Sequence, residues 1–222
     1  MSDASSMKIL ALEFSSPVRG VAVSIDGALR GQADERGGRT TQVFRLIDAA
    51  LQESGIRREE IECIAVGTGP GSYAGVRTAI AIAQGWQLAL GVNLLGISSA
   101  DSLATDVAEK GAEKSFYVGI DAQREEVFLA RYEVTASGAR IVAPFYHADE
   151  ADWERISGGE TCYRPDLLET KERGMIALPP PAAALARLAR GRSDFIGGFA
   201  LEPIYLRRAE FVKALPPKFG LI

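Results

Sequence analysis

The sequence contains a single histidine, His147, and only two cysteines, Cys63 and Cys162. One histidine cannot supply the imidazole ligands of a histidine-based metal site, and it has no evident partner for a catalytic triad. The cysteines form no CxxC pair, which favours two reduced thiols over a disulfide or a metal site. These absences argue against a catalytic triad and a histidine-based metal site, whereas Glu13 and Asp121, at strand ends, could either hold a metal or a water molecule in an ATPase cleft or simply face solvent.

Long apolar runs and a strong excess of one charge are also missing. The polar residues 1–6 precede an apolar run that is too short for a signal sequence or a membrane span, so we predict a disordered tail, no membrane contact and a cytoplasmic location. The net charge is only −4 over 222 residues. This argues against a broad basic face for nucleic acid, and any RNA contact is expected to be small or shared with a partner.

The sequence does contain alternating strand and helix patterns. A short apolar run at 8–14 and a strand at 20–25 precede a hairpin signal, Asp26-Gly27, and a third strand near 28–34. Helical periodicity follows at 41–54 and at about 73–90, with strands near 61–66 and 93–97 and a helix opened by Ser98 or Ser99. This order predicts an α/β fold with a mixed sheet.

A second half of the chain opens like the first. The strand predicted at 116–120 is followed by an acid, Asp121, as the first strand ends in Glu13, and each is followed by another strand, here at 126–134. The stretch 149–178 has little periodicity, and a short Ala- and Leu-rich helix follows Pro179 to Pro181. We predict two related units with one mixed sheet each, the second of them reduced.

The stretch GTGPGSYAGVR at 67–77 lies between a strand and a long helix. It lacks the Gly-Lys-Ser/Thr ending of a Walker A loop. Gly69, Gly71 and Ala74 formally match a dinucleotide-binding pattern, but the acid expected after the next strand is missing. In a purely structural interpretation, Gly71 and Gly75 allow a sharp turn and a close approach of the helix. The residues alone leave both phosphate binding and helix packing open.

The helix after this turn is apolar on every side, with Arg77 as its only charge. Its stripe of small residues comprises Ala74, Thr78, Ala81 and Gly85, and its bulky stripe comprises Ala79, Ile82 and Trp86. A helix that is apolar all round is buried all round. One side is expected to pack on the sheet, and the other on the helix at 41–54 and on another molecule.

Four segments in the same order resemble the TsaB (YeaZ) family: KILALEFSS, GTGPGSYAGVRTAIAIAQGWQLAL, IDAQREEVFLARY and PIYLR. The resemblance runs from Met7 to about Arg208 and is most specific in GPGSYAGVR. It implies the ASKHA fold of actin, sugar kinases and Hsp70, with a first subdomain at 7–100 and a second, degraded one at 101–222. The last segment is expected to be able to pack back on the first subdomain.

The resemblance also implies a function. The chain is expected to be a non-catalytic, dimerising subunit of the complex that makes N6-threonylcarbamoyladenosine in tRNA. It would pair with a TsaD-like paralogue, which transfers threonylcarbamoyl from threonylcarbamoyl-AMP to the adenosine next to the anticodon, and a TsaE-like ATPase would join them. Alone it would form a homodimer, and it would reach tRNA only through the complex. ATP or ADP and metal are expected on the partner subunits, with no intrinsic cofactor.

Two sets of residues are expected to carry this function. The partner interface is predicted on the helices at 41–54 and 74–90, at Val43, Leu46, Ile47, Ala50, Ala74, Thr78, Ile82 and Trp86. A vestigial or interface-edge nucleotide site is predicted at Glu13, Ser15, Ser16, Gly69, Gly71 and Ser72. Glu13 stands where most relatives have Asp, and its extra methylene moves the carboxylate by about 1.5 Å, which weakens the case for an intrinsic ATPase.

Two other function classes remain open at the level of sequence. The first is an ASKHA-type ATPase or small-molecule kinase, with Glu13, Gly69, Gly71 and Ser72 around the phosphate. The second is a glycoprotease, the old label of this superfamily. The absence of a two-histidine metal site argues against the protease.

Overall fold

A computed structural model describes residues 7–37, 41–111, 113–123, 126–166 and 174–206. The tail predicted for residues 1–6, and Arg208 at the end of the resemblance, lie outside the described residues. The described strands form two sheets of five strands each.

The first sheet has the order β3-β2-β1-β4-β5. Its strands are β1 (Lys8–Glu13), β2 (Val18–Ile25), β3 (Ala28–Arg36), β4 (Cys63–Gly67) and β5 (Asn93–Ile97). The first three form an antiparallel meander, and β4 and β5 run parallel to β1. Asp26 and Gly27 have φ values of 55° and 78°, which confirms the predicted tight hairpin turn.

The second sheet repeats this arrangement. Its strands are β6 (Ser115–Gln123), β7 (Glu126–Thr135), β8 (Gly138–Asp149), β9 (Cys162–Arg164) and β10 (Met175–Ala177), in the order β10-β9-β6-β7-β8. Again three strands form an antiparallel meander, and the next two run parallel to its first strand. The predicted pair of related mixed sheets is confirmed.

In the described ranges, five α-helices connect and cover the sheets: α1 (Val43–Ser54), α2 (Tyr73–Leu90), α3 (Ser99–Glu109), α4 (Trp153–Ser157) and α5 (Ala182–Ala189). α1 and α2 cover one face of the first sheet, and α5 covers the other. α3 and α4 cover opposite faces of the second sheet. Because α3 also packs against α5, the two sheets face each other across these two helices. We call the first sheet with α1, α2 and α5 the first lobe, and the second sheet with α3 and α4 the second lobe.

Sequence patterns missed part of the second lobe. β8, β9, β10 and α4 were not predicted, and three of them fall in the stretch 149–178 that shows no clear periodicity. β9 and β10 have three residues each and α4 has five, so none is long enough to show a period.

Candidate functional site

The glycine-rich turn packs directly on the end of β1. A Cβ at Gly71, where φ is 152°, would overlap the carbonyl oxygen of Ser15, and a Cβ at Gly75 would overlap that of Phe14. Ser72 caps α2, because its Oγ accepts a hydrogen bond from the amide of Gly75 at 3.3 Å. The prediction that Gly71 and Gly75 allow close packing of the helix is confirmed.

Two backbone amides of this turn donate to groups within the protein. The amide of Gly69 donates to Oγ of Ser99 at 3.1 Å, and the amide of Ser72 donates to the carbonyl of Ser15 at 2.6 Å. A phosphate loop needs such amides to point at the ligand. These two donors are engaged within the protein, and the turn has no lysine to hold a phosphate.

Glu13, the acid of the predicted nucleotide site, is fully buried. Its Oε1 accepts hydrogen bonds from the amide of Ser15 at 2.9 Å and from Oγ of Ser99 at 3.0 Å, whereas its Oε2 has no hydrogen-bond partner among the described residues. Burial raises the pKa of this carboxyl group, and the bonds from Ser15 and Ser99 oppose the rise. The carboxyl group thus faces the interior and does not line the cleft described below, and its predicted place in a nucleotide site stays a prediction.

Arg19 of β2 is the buried cation beside this site. Its guanidinium donates to the carbonyls of Phe14 and Ser16, the latter at 2.7 Å, and to Oγ of Ser72 at 3.2 Å. Burial lowers the pKa of Arg19, and the charge of Glu13 acts in the opposite direction. Arg19 therefore fixes the turn after β1 to the cap of α2. Sequence reasoning missed it, because one arginine in a strand gives no pattern.

A cleft of about 430 Å³ lies between the lobes. Its lining includes Ser15, Ser16, Arg19, Gly71, Ser72 and Tyr73 from the first lobe, and Ile120, Asp121, Pro165 and Asp166 from the second. The cleft thus brings together four of the six predicted nucleotide-site residues. Glu13 and Gly69 do not line it.

The eight predicted interface residues divide into three groups. Leu46, Ile47, Ala50 and Ile82 are buried in the core of the first lobe, Val43 and Trp86 are half-buried against that core, and Ala74 and Thr78 are exposed. The first four pack in the core between the helices and the sheet and are not exposed in the free chain, so their contact with a partner stays a prediction. The bulky stripe of α2 faces inward and the small one outward.

The outward side of α2 carries Ala74, Thr78, Ala81, Gly85 and Leu88, which we call the α2 face. All five are exposed, and Leu88 retains 84% of its accessible surface. Phe44 of α1 is also exposed, at 60%. Tyr73 and Arg77 are exposed beside the face, with the guanidinium of Arg77 4.5 Å from the centre of the Tyr73 ring. The small residues of the face let another helix approach closely, as in ridge-into-groove packing.

A 3-10 turn at Gly198–Ala200 extends this apolar surface. Gln84 donates through Nε2 to the carbonyl of Gly198 at 2.7 Å, and the amide of Gly198 donates to Oε1 of Gln87 at 2.7 Å. These bonds hold Phe199 beside α2 with 97% of its surface exposed. The sequence shows no local signal for Phe199, because its neighbours on α2 are over 100 residues away.

The described residues include no cluster of three or more histidine, cysteine or acidic side chains that could hold a metal. His147 contacts Glu126, with 2.9 Å between Nε2 and Oε2. Within the same described ranges, no helix combines the length and the apolar character that crossing a membrane requires.

Comparisons with known proteins agree with these observations. A family model described as TsaD, tRNA N6-adenosine threonylcarbamoyltransferase, matches residues 40–184, which is more than half of the chain. The chain belongs to this family. The protein named tRNA threonylcarbamoyladenosine biosynthesis protein TsaB in Escherichia coli (strain K12) is 28% identical over 96% of this chain and 100% of that relative. The protein of the same name in Haemophilus influenzae is 26% identical over 95% of this chain and 98% of its own length.

A solved structure, YeaZ from Pseudomonas aeruginosa, superposes with a TM-score of 0.74 at 23% identity. It matches 90% of this chain and 100% of its own. The resemblance to the TsaB (YeaZ) family and the expected ASKHA-type fold are confirmed by these matches and by the repeated sheet topology.

Proposed function

We propose that this chain is a non-catalytic subunit in the synthesis of threonylcarbamoyladenosine in tRNA, and that it binds a TsaD-type transferase through the α2 face. The names of the two TsaB relatives place them in that synthesis. The observation that carries the proposal is the exposed apolar surface formed by the α2 face and Phe199. Exposed apolar surface of this kind marks a site of protein association.

The shape of this surface favours a helical partner. Ala74, Thr78, Ala81 and Gly85 are exposed and small, and from this we infer a shallow groove along α2, with the exposed side chains of Leu88 and Phe199 beside it. A helix can lie in such a groove, and large apolar side chains at its margin serve as anchors. Burying one large apolar side chain contributes about 1.5 to 3 kcal/mol. A TsaD-type protein shares the family of this chain and would present related helices.

The interior position of Glu13 supports a non-catalytic role. An ATPase or kinase would need that carboxylate in the cleft, close to a metal or a water molecule. Here it bonds to Ser15 and Ser99, and the amides of Gly69 and Ser72 are engaged as well. We therefore assign nucleotide, metal and the transfer step to the partner subunits, and we do not favour the ATPase, kinase or glycoprotease alternatives.

Reconstituted tRNA modification tests this function. The assay combines a TsaD-type transferase, a TsaE-type ATPase, threonylcarbamoyl-AMP synthase and unmodified tRNA, with or without this chain. We expect modification to require the chain, and the chain alone to produce none. Full modification without the chain would contradict the subunit role, and nucleotide hydrolysis by the purified chain that is lost in Glu13→Ala would revive the ATPase alternative.

A further inference from the structure

Glu13 is a buried acid that the proposed function does not use. It ends β1, is completely inaccessible to solvent, and lies behind the residues that line the cleft. A buried carboxyl group costs free energy unless its hydrogen bonds offset that cost. The partners of those bonds therefore indicate what the group does.

Ser99 connects Glu13 to two helices. Its Oγ accepts a hydrogen bond from the amide of Gly69 at 3.1 Å and donates to Oε1 of Glu13 at 3.0 Å, and its own amide donates to the carbonyl of Gly69 at 2.8 Å. Gly69 lies in the turn that leads into α2, and Ser99 is the first residue of α3. One carboxyl oxygen thus joins the end of β1, the approach to α2 and the start of α3.

α2 and α3 belong to different lobes. α2 packs in the core of the first lobe, whereas Ala100, Leu103 and Val107 of α3 pack in the core of the second. We propose that Glu13 is a positioning residue that locks the start of α2 to the start of α3 and thereby sets the α2 face relative to the second lobe. The consequence for partner binding rests on the proposed function, but the lock itself does not.

Gly67 provides the space that the side chain of Glu13 occupies. A Cβ at Gly67 would overlap the carboxylate of Glu13, so only glycine leaves room for the glutamate in its present position. Gly67 is not among the residues with positive φ, and its backbone therefore accepts alanine. Gly67→Ala is thus expected to displace the carboxylate without removing it.

Three variants separate the lock from general stability. Glu13→Gln keeps the shape and the acceptor oxygen, Glu13→Met keeps the approximate shape without an acceptor, and Gly67→Ala displaces the carboxylate. Backbone hydrogen exchange is measured on peptides covering residues 69–78 and 98–103, with residues 44–52 of α1 as an internal control. We expect exchange in both test segments to rise about tenfold in Glu13→Met and Gly67→Ala and to stay near the wild-type rate in Glu13→Gln.

The same variants are then titrated with the TsaD-type transferase, and we expect weaker binding by Glu13→Met and Gly67→Ala than by Glu13→Gln. The proposal that Glu13 joins the two helices would be overturned if either test segment of Glu13→Met exchanged at the wild-type rate. It would also be overturned if the exchange rate rose equally in residues 44–52 of α1. If Glu13→Met does not fold, Gly67→Ala decides the same question. Failure of the wild-type chain to bind the transferase would overturn the proposed function. The exchange data would still test whether Glu13 holds the starts of α2 and α3 together.

Discussion

The side chain of Gln84 in α2 donates a hydrogen bond of 2.7 Å to the carbonyl oxygen of Gly198, far along the chain. This bond attaches the segment after α5 to the exposed side of α2. It also holds the following residue, Phe199, in solvent with 97% of its surface accessible. A large aromatic ring held in water by a fixed backbone is expected to be covered when the protein meets its partner.

Phe199→Ser tests this expectation. We predict that affinity for the TsaD-type transferase falls about tenfold or more, because the lost contact corresponds to at least about 1.4 kcal/mol. The stability of the free chain should not change, since the ring is almost fully exposed. Ile141→Ser, at a 43% exposed position on β8, serves as the control and should leave the affinity unchanged. Equal affinities of both variants and the wild type would exclude Phe199 from the interface.

Ile82 has a structural role that its neighbour Ala81 does not share. Ile82 is 8% exposed within the core of the first lobe, whereas Ala81 is exposed. We predict that Ile82→Ala lowers the free energy of unfolding by about 2 to 4 kcal/mol, because it removes buried methyl groups and leaves a cavity. Ala81→Ser should change stability by less than about 0.5 kcal/mol. Urea denaturation measures both, and a neutral Ile82→Ala would show that the orientation of α2 is wrong.

At Gly85, a single substitution is expected to raise the stability of the free chain and to weaken binding of the transferase. A Cβ there would meet no atom within 4 Å, and the residue lies in the exposed middle of α2. Gly85→Ala should therefore stabilise the free chain by about 0.5 to 1 kcal/mol, since alanine loses less backbone entropy in a helix. The same methyl group should weaken transferase binding several-fold, because it fills the groove. Thermal unfolding and calorimetric titration test the two effects, and a gain in both would argue against a helix in this groove.

Glu13 makes stability depend on pH. Its pKa is raised in the folded chain, so the folded state holds this proton more tightly than the unfolded state. Its contribution to stability is present in full below the ordinary carboxyl pKa and is lost as the pH rises through the folded pKa. We predict that, as the pH rises from the ordinary carboxyl pKa to the folded pKa, the free energy of unfolding of the wild type falls relative to that of Glu13→Gln. Parallel stability curves from pH 4 to pH 8 would contradict the raised pKa.

Much of the first lobe follows from local signals in the sequence. The sequence predicts a helix at about 73–90, and the structure has α2 over that range, with Ser72 as its N-cap and Gly91, at φ of 71°, as its C-cap. β5 was likewise predicted over its observed range of Asn93–Ile97. The first meander is also readable, since its three strand patterns lie close together in the chain, whereas in the second meander only β6 and β7 are predicted and β8 is not.

The partner surface could not be oriented in the same way. α2 has a bulky apolar stripe and a small one, and the sequence does not show which stripe meets the sheet. The packing of the structure shows that the bulky stripe meets the sheet, because Ile82 lies in the core and Ala81 does not. The inward position of Glu13 depends on Gly67 and Ser99, which are distant in sequence, so no local pattern reveals it.

Direct titration of the purified chain with a TsaD-type transferase tests the central claim. Ala81→Arg places a charge in the middle of the α2 face, and Ala151→Arg places the same charge at an exposed position of the second lobe. We predict that the wild type and Ala151→Arg bind equally, and that Ala81→Arg stays folded and loses binding by about a hundredfold or more, because a charge buried there would have no partner. Equal binding by all three proteins would contradict the account.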